Sequence, residues 1–149
     1  MAALTVEHIF RGNIEQVFAG CRQYGEYPKY LPGVSAIEVQ PAQVPGSSCR
    51  VRYDIKLIKT FYYTLNTFEK PPAKIWWNLS ESNLMKKSEG SWQFEDLGDG
   101  TTKAIYTLDV GFSGLVPQKI VDQVTRANLP ALMSGMQKLI DAQNGKYRS

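Results

Sequence analysis

The chain has 149 residues, the length of one ordinary domain, and its 43% hydrophobic content is that of a globular core rather than a disordered or fibrous chain. Seventeen Lys and Arg against fourteen Asp and Glu give a net charge of +3 with signs alternating along the chain, which excludes a long basic arm or an acidic tail. No stretch approaches the ~20 apolar residues that cross a bilayer, and the N-terminus lacks a basic start followed by an apolar run, so a cytoplasmic protein is expected.

Thr5 to Phe10 reads as a first strand, with Leu4, Val6, His8 and Phe10 on one face. Asn13 opens a helix. Its side chain can cap the first turn while Gln16, three residues on, reaches back, and Ile14, Val17, Phe18 and Cys21 follow at helical spacing. Pro28 and Pro32 forbid a long continuation, so Tyr24 to Gly33 is expected to be a second short helix and a loop.

From Val34 the pattern switches to period two. Turn residues at Pro45-Gly46-Ser47-Ser48, Pro71-Pro72 and Asp99-Gly100 divide it into six antiparallel strands at 34–40, 48–57, 60–69, 74–82, 86–97 and 101–112. The alternation is clearest for Cys49, Val51, Tyr53, Ile55 and Leu57 against Arg50, Arg52, Asp54 and Lys56. It recurs for Ala104, Tyr106, Leu108, Val110 and Phe112. At Tyr62-Tyr63 and Trp76-Trp77 both faces are apolar, and the inward member of each pair stays open.

Val116 to Gln143 is a long helical stretch whose end is expected at Asn144-Gly145. Val116, Ile120, Val121, Val124 and Ala127 define one apolar stripe, and Leu129, Leu132, Met133, Met136, Leu139 and Ile140 another, rotated by roughly 120° at 3.6 residues per turn. A straight helix cannot bury both, so a bend or break is expected at Pro130.

Tyr27-Pro28-Lys29-Tyr30-Leu31-Pro32-Gly33, Gly90-Ser91-Trp92-Gln93-Phe94 and Asp99-Gly100-Thr101 resemble motifs of the START-like superfamily, which includes polyketide cyclases/dehydrases, lipid-transfer domains and coenzyme Q-binding proteins. The resemblance spans essentially the whole chain. It implies an α+β helix-grip fold: one domain over residues 1–149, about seven strands in a curved antiparallel sheet around a long C-terminal helix, and two short helices after the first strand. One position departs from the pattern, since Gln23 stands where such sequences commonly carry Asp. The superfamily hosts carriers, enzymes and ribosome-associated toxins, so the likeness speaks to fold more than to function.

Eight Tyr, six Phe and three Trp supply rigid apolar walls with polar tips. The expected cavity residues are Tyr53, Tyr63, Trp77, Trp92, Tyr106 and Phe112 from the sheet, with Met133 and Met136 as a flexible apolar lid on the last helix. Catalytic groupings are sparse. His8 is the only histidine and has no companion ligand or orienting carboxylate in sequence. Cys21 and Cys49 lie in apolar-patterned segments without metal or redox spacing and read as reduced thiols. No phosphate-binding or dinucleotide glycine loop is present.

The expected protein therefore binds or carries a hydrophobic or amphipathic small molecule such as a lipid, quinone or polyketide-like compound, without metal or cofactor. A cofactor-free cyclase or dehydratase is the enzymatic alternative. A ribosome-association toxin, the third, would need a contiguous basic face. Lys86-Lys87 and the tail Lys146-Tyr147-Arg148 are small basic spots suited at most to transient membrane contact, and nucleic acid is not an expected partner.

Overall fold

The computed structural model describes residues 2–147. Seven strands form one antiparallel sheet: β1 (Ala2–Arg11), β2 (Val34–Gln40), β3 (Cys49–Lys56), β4 (Thr60–Lys70), β5 (Lys74–Ser82), β6 (Met85–Asp96) and β7 (Thr101–Phe112). Four helices accompany them: α1 (Ile14–Cys21), α2 (Tyr27–Tyr30), α3 (Gln118–Val124) and α4 (Leu129–Tyr147), with a 3-10 turn at Tyr24–Glu26 ahead of α2. The strand order β1-β7-β6-β5-β4-β3-β2 is a simple meander from β2 to β7 that β1 completes against β7, with Val6 opposite Tyr106. The expected strands are all present, their ends shifted by a few residues at most.

Alternation decides which face of the sheet is covered. Val51, Ile55, Phe61, Leu65, Ile75, Trp92, Phe94, Ala104, Leu108 and Val110 are buried on the concave side. Arg50, Arg52, Lys87 and Lys103 lie on the convex side, each against a carboxylate: Glu81 at 3.1 Å, Asp54 at 3.2 Å, Asp109 at 2.8 Å and Glu7 at 2.9 Å.

The cap expected at α1 is present in both halves. The Gln16 amide donates to Asn13 Oδ1 and the Asn13 amide to Gln16 Oε1, each at 2.9 Å. α1 packs on α4 through Val17, Phe18 and Cys21 with Met136, Leu139 and Ile140 in one buried cluster. α4 also crosses the end of α2 at Gly135, where any Cβ would collide with the Tyr30 carbonyl, so only glycine permits that approach.

The break between the two apolar stripes is real and lies one turn before Pro130. α3 ends at Val124, residues 125–128 are non-helical, and Pro130 sits in the first turn of α4, where its missing N–H costs no helical hydrogen bond. The Arg126 carbonyl that a continuous helix would leave unsatisfied accepts from the Leu129 amide at 3.2 Å. The first stripe rests on a second buried cluster through Val116, Ile120 and Val124, although its last member, Ala127, is exposed. The second stripe joins the α1 cluster through Leu132, Met133, Met136, Leu139 and Ile140. At the other end of α4 the helix runs on through Asn144-Gly145 to Tyr147, a correction to the expected stop. A glycine inside a helix costs only about 1 kcal/mol relative to alanine, too little to end one by itself. Of the basic tail, Arg148 lies outside the described residues.

Candidate functional site

Between the concave face and α4 lies a cavity of about 170 Å³. At ~10–15 Å³ per water in this measure, it has room for on the order of ten waters, or a ligand of comparable bulk. Each of five adjacent strands contributes one or two aromatic rings to the cavity wall, which they share with aliphatic side chains such as Ile55, Leu65, Ile75 and Leu108. Tyr53 of β3 stacks on Tyr63 of β4, with centroids 4.8 Å apart and planes at 16°. Tyr106 of β7 packs 4.6 Å from Trp92 of β6 and 6.2 Å from Trp77 of β5. Met136 and Leu132 of α4 close the roof, Gln123, Val124, Thr125 and Asn128 at the end of α3 and in the link to α4 line one end, and Tyr24, Tyr27 and Leu31 line the end nearest α1 and α2.

Six of the eight expected cavity residues, Tyr53, Tyr63, Trp77, Trp92, Tyr106 and Met136, line this space. Phe112 and Met133 do not. Phe112 lies at the far end of β7, opposite Met85, and packs on the second cluster. Met133 projects from α4 toward β1 and is buried with the α1 cluster, on the helix face beside the one that carries Leu132 and Met136. The open choice at the paired aromatics is resolved by register. Tyr63 and Trp77 face inward, whereas Tyr62 receives the Arg52 guanidinium 4.2 Å from its ring centroid, and Trp76 stacks on Phe68 at 5.4 Å with Lys74 over it.

Tyr24, Tyr27, Leu31, Phe61, Leu65, Thr67, Ile75 and Ser88 also line the cavity and were not singled out in the sequence. Phe61, Leu65 and Thr67 could have been read from β4 once Tyr63 was placed inward, since residues two apart share a face. Tyr24, Tyr27 and Leu31 sit in short helical turns without a periodic signal of their own.

The phenols fall into two groups. Tyr24 donates to Glu69 Oε2 at 2.6 Å, and the Glu69 carboxylate, almost buried, also receives Arg22 Nε at 3.2 Å. Tyr27 donates to the Cys21 carbonyl at 2.5 Å. These two protons are committed within the protein. Tyr53, Tyr63 and Tyr106 make no hydrogen bond among the described residues, and burial holds all three phenols above their ordinary pKa, so each keeps its proton at neutral pH. Thr67, buried beside them on β4, has a hydroxyl without a partner among the described residues.

His8 lies elsewhere. It packs edge-on against Phe10 at 4.7 Å and borders a surface groove with Met133 and Gln137, outside the cavity, and burial lowers its pKa. Cys21 is fully buried, and burial pushes its thiol well up. Burial, and next Glu69, raise that of Cys49, against a smaller opposite effect of Arg22. Among the described residues no group of three or more His, Cys, Asp or Glu could hold a metal ion, and no helix is long and apolar enough to cross a membrane.

A family model described as polyketide cyclase / dehydrase and lipid transport matches residues 13–137. No curated protein matches the sequence. Among solved structures, a START superfamily protein from Mycobacterium smegmatis is similar at a TM-score of 0.79, with 16% identity over 94% of this chain and 97% of that one. A Thermus thermophilus protein matches at 0.79, with 19% identity over 95% and 98%. A Streptomyces aromatase/cyclase matches at 0.75, with 14% identity over 99% and 98%. At such identities the likeness is one of fold.

Proposed function

The chain belongs to the polyketide cyclase / dehydrase and lipid transport family, and from that premise we propose that it is a single ligand-binding domain that holds a hydrophobic or amphipathic small molecule between its sheet and α4. The observation that carries this reading is the aromatic cavity of about 170 Å³ walled by Tyr53, Tyr63, Trp77, Trp92, Tyr106 and Met136. A space of that size in a close-packed interior forfeits dispersion contacts and apolar burial unless something occupies it, and its lining offers a ligand rigid apolar surface with a few polar tips. Lipids of modest chain length, quinones and polyketide-like compounds all fit this description.

The test is native mass spectrometry of protein purified from its own host, together with titration by the apolar fluorophore N-phenyl-1-naphthylamine. A co-purifying small molecule, or saturable probe binding that Met136→Trp weakens, is the expected result. Absence of both would sink the reading.

The phenols favour one further reading, a cofactor-free cyclase or dehydratase. A buried phenol that stays protonated can donate to a carbonyl oxygen and polarise it, but it is a poor general base. Turnover of a synthetic poly-β-ketone thioester that disappears in Tyr106→Phe would select the enzyme over the carrier.

A further inference from the structure

We propose that the cavity selects uncharged molecules bearing hydrogen-bond acceptor oxygens, such as ketones, esters or quinone-like rings, and discriminates against carboxylates of the same size; the inference rests on the ligand-binding reading above. The first observation is the lining itself, which includes no Asp, Glu, Lys, Arg or His. An anion entering it would leave water without meeting a cation, and the penalty for burying an unpaired charge falls wholly on the complex. Glu69 adds to this. It stands behind Tyr24 at the end of the cavity nearest α1 and α2, and Arg22, its counter-ion, is engaged with it.

The second observation is the set of donors that the phenols offer, beside the side-chain amides of Gln123 and Asn128 at the α3 end. Tyr24 and Tyr27 have given their protons to Glu69 and to the Cys21 carbonyl. Tyr53, Tyr63 and Tyr106 have not, and they are neighbours, with Tyr53 stacked on Tyr63 and with Tyr63 and Tyr106 close enough for their charged forms to disfavour one another. The Thr67 hydroxyl also lacks a partner among the described residues, but its oxygen has no accessible surface, so it serves as a comparison for the phenols and not as a donor to the ligand. The three phenol oxygens are not sealed in the core but open to the cavity, so a ligand that supplies acceptors to this wall keeps these donors paired when it displaces water from them. A pure hydrocarbon fills the volume but leaves the donors unpaired.

Three bicyclic probes separate these terms: naphthalene, chromone, which adds a carbonyl and a ring oxygen, and 2-naphthoate, which adds a carboxylate. Each is titrated by displacement of N-phenyl-1-naphthylamine at pH 7 against the parent and against Tyr53→Phe, Tyr63→Phe, Tyr106→Phe and Thr67→Val. In the parent, 2-naphthoate is expected to bind at least about tenfold more weakly than naphthalene. At least two of the phenylalanine variants should lose about fivefold in chromone affinity while naphthalene affinity stays within about twofold, the loss of one hydrogen bond each. Retained naphthalene binding also certifies that a variant's cavity is intact. If naphthalene binds but chromone is insensitive to every phenylalanine variant, or if 2-naphthoate binds as well as naphthalene, the selectivity is overturned while the cavity reading stands. If none of the three displaces the fluorophore, the cavity reading falls and the selectivity with it.

Discussion

Trp77 and Gly90 lie directly opposite each other on β5 and β6, and the indole occupies the space that a side chain at position 90 would need. A Cβ there would fall 2.5 Å from the Trp77 Cζ2 and 2.5 Å from the Thr107 carbonyl oxygen. The ring can move, but the carbonyl belongs to the neighbouring strand and cannot. Gly90→Ala is therefore expected to cost ~1–3 kcal/mol, as overpacking typically does. It should also displace Trp77 within the cavity wall, which a shift in tryptophan emission and weaker N-phenyl-1-naphthylamine binding would register. An unchanged melting temperature with unchanged emission would show that the sheet yields at this point.

Met136→Trp distinguishes an open cavity from a filled core. In a close-packed site the added bulk forces strained rotamers and costs ~1–3 kcal/mol. Beneath α4 the indole should instead enter the open volume, leaving stability within about 1 kcal/mol of the parent while probe affinity falls at least roughly tenfold. Calorimetry and probe titration on the same preparation give both numbers. A loss above ~2 kcal/mol, with no probe binding in the parent either, would mean the space is packed shut.

Tyr24→Phe removes one of the two donors to an almost buried carboxylate. Glu69 would keep only Arg22, itself half-exposed, and the expected loss is ~1–3 kcal/mol in chemical unfolding. Glu69→Gln in the Tyr24→Phe background should restore part of it, since a neutral amide is cheaper to leave under-bonded than a carboxylate. No recovery in the double variant would assign the loss to ring packing.

His8 predicts a pH dependence of stability without a pH dependence of binding. Burial lowers its pKa in the folded state, so the folded protein binds fewer protons than the unfolded chain around that pKa. The stability tied to neutral His8 is complete above the ordinary imidazole pKa of about 6.5 and falls as pH drops below it. His8→Gln should flatten the melting-temperature profile between about pH 7 and pH 5 and leave probe affinity within about tenfold, because the imidazole lies outside the cavity. Abolished ligand binding in a folded His8→Gln protein would mean that the ring reaches the ligand by some rearrangement.

Much of this architecture could be read from the residues, and the places where it could not share a cause. Strands announced themselves by alternation and by turn residues, and α1 by its capping pair. The inward member of Tyr62-Tyr63 could not be read, because a single residue in the β3–β4 loop decides it. With a two-residue loop at Ile58-Lys59, Leu57 would pair with Thr60 and Tyr53 with Thr64. The chain instead turns over residues 57–59, pairing Lys56 with Thr60 and Tyr53 with Tyr63. A one-residue slip exchanges the two faces of a strand, so loop length outweighs composition here. Met133 misled differently. It shares the apolar stripe with Met136, but neighbours three apart diverge by about 60° around a helix, enough for one to face the cavity and the other the α1 core.

The four residues between α3 and α4 divide the covering of the sheet into two mechanical parts. α4 is seated by α1, by the end of α2 and by the reciprocal bonds between Gln137 and the Arg11 backbone, so moving it disrupts the main core. α3 rests on the second cluster through Ile120, which meets the main core at Val34, Tyr53, Trp77 and Tyr106, with a 3.5 Å contact from the Ile58 amide to Gln123 Oε1 at its flank. No helical hydrogen-bond ladder links the two. Strain imposed on α3, by substitution at Gln123 or Val124 or by a bulky guest, is therefore expected to be taken up at residues 125–128 and not to lever α4 off the sheet. The shape of one end of the cavity can consequently drift between related sequences without endangering the fold, and variation among family members should concentrate in residues 113–128 more than in the half of α4 that meets α1.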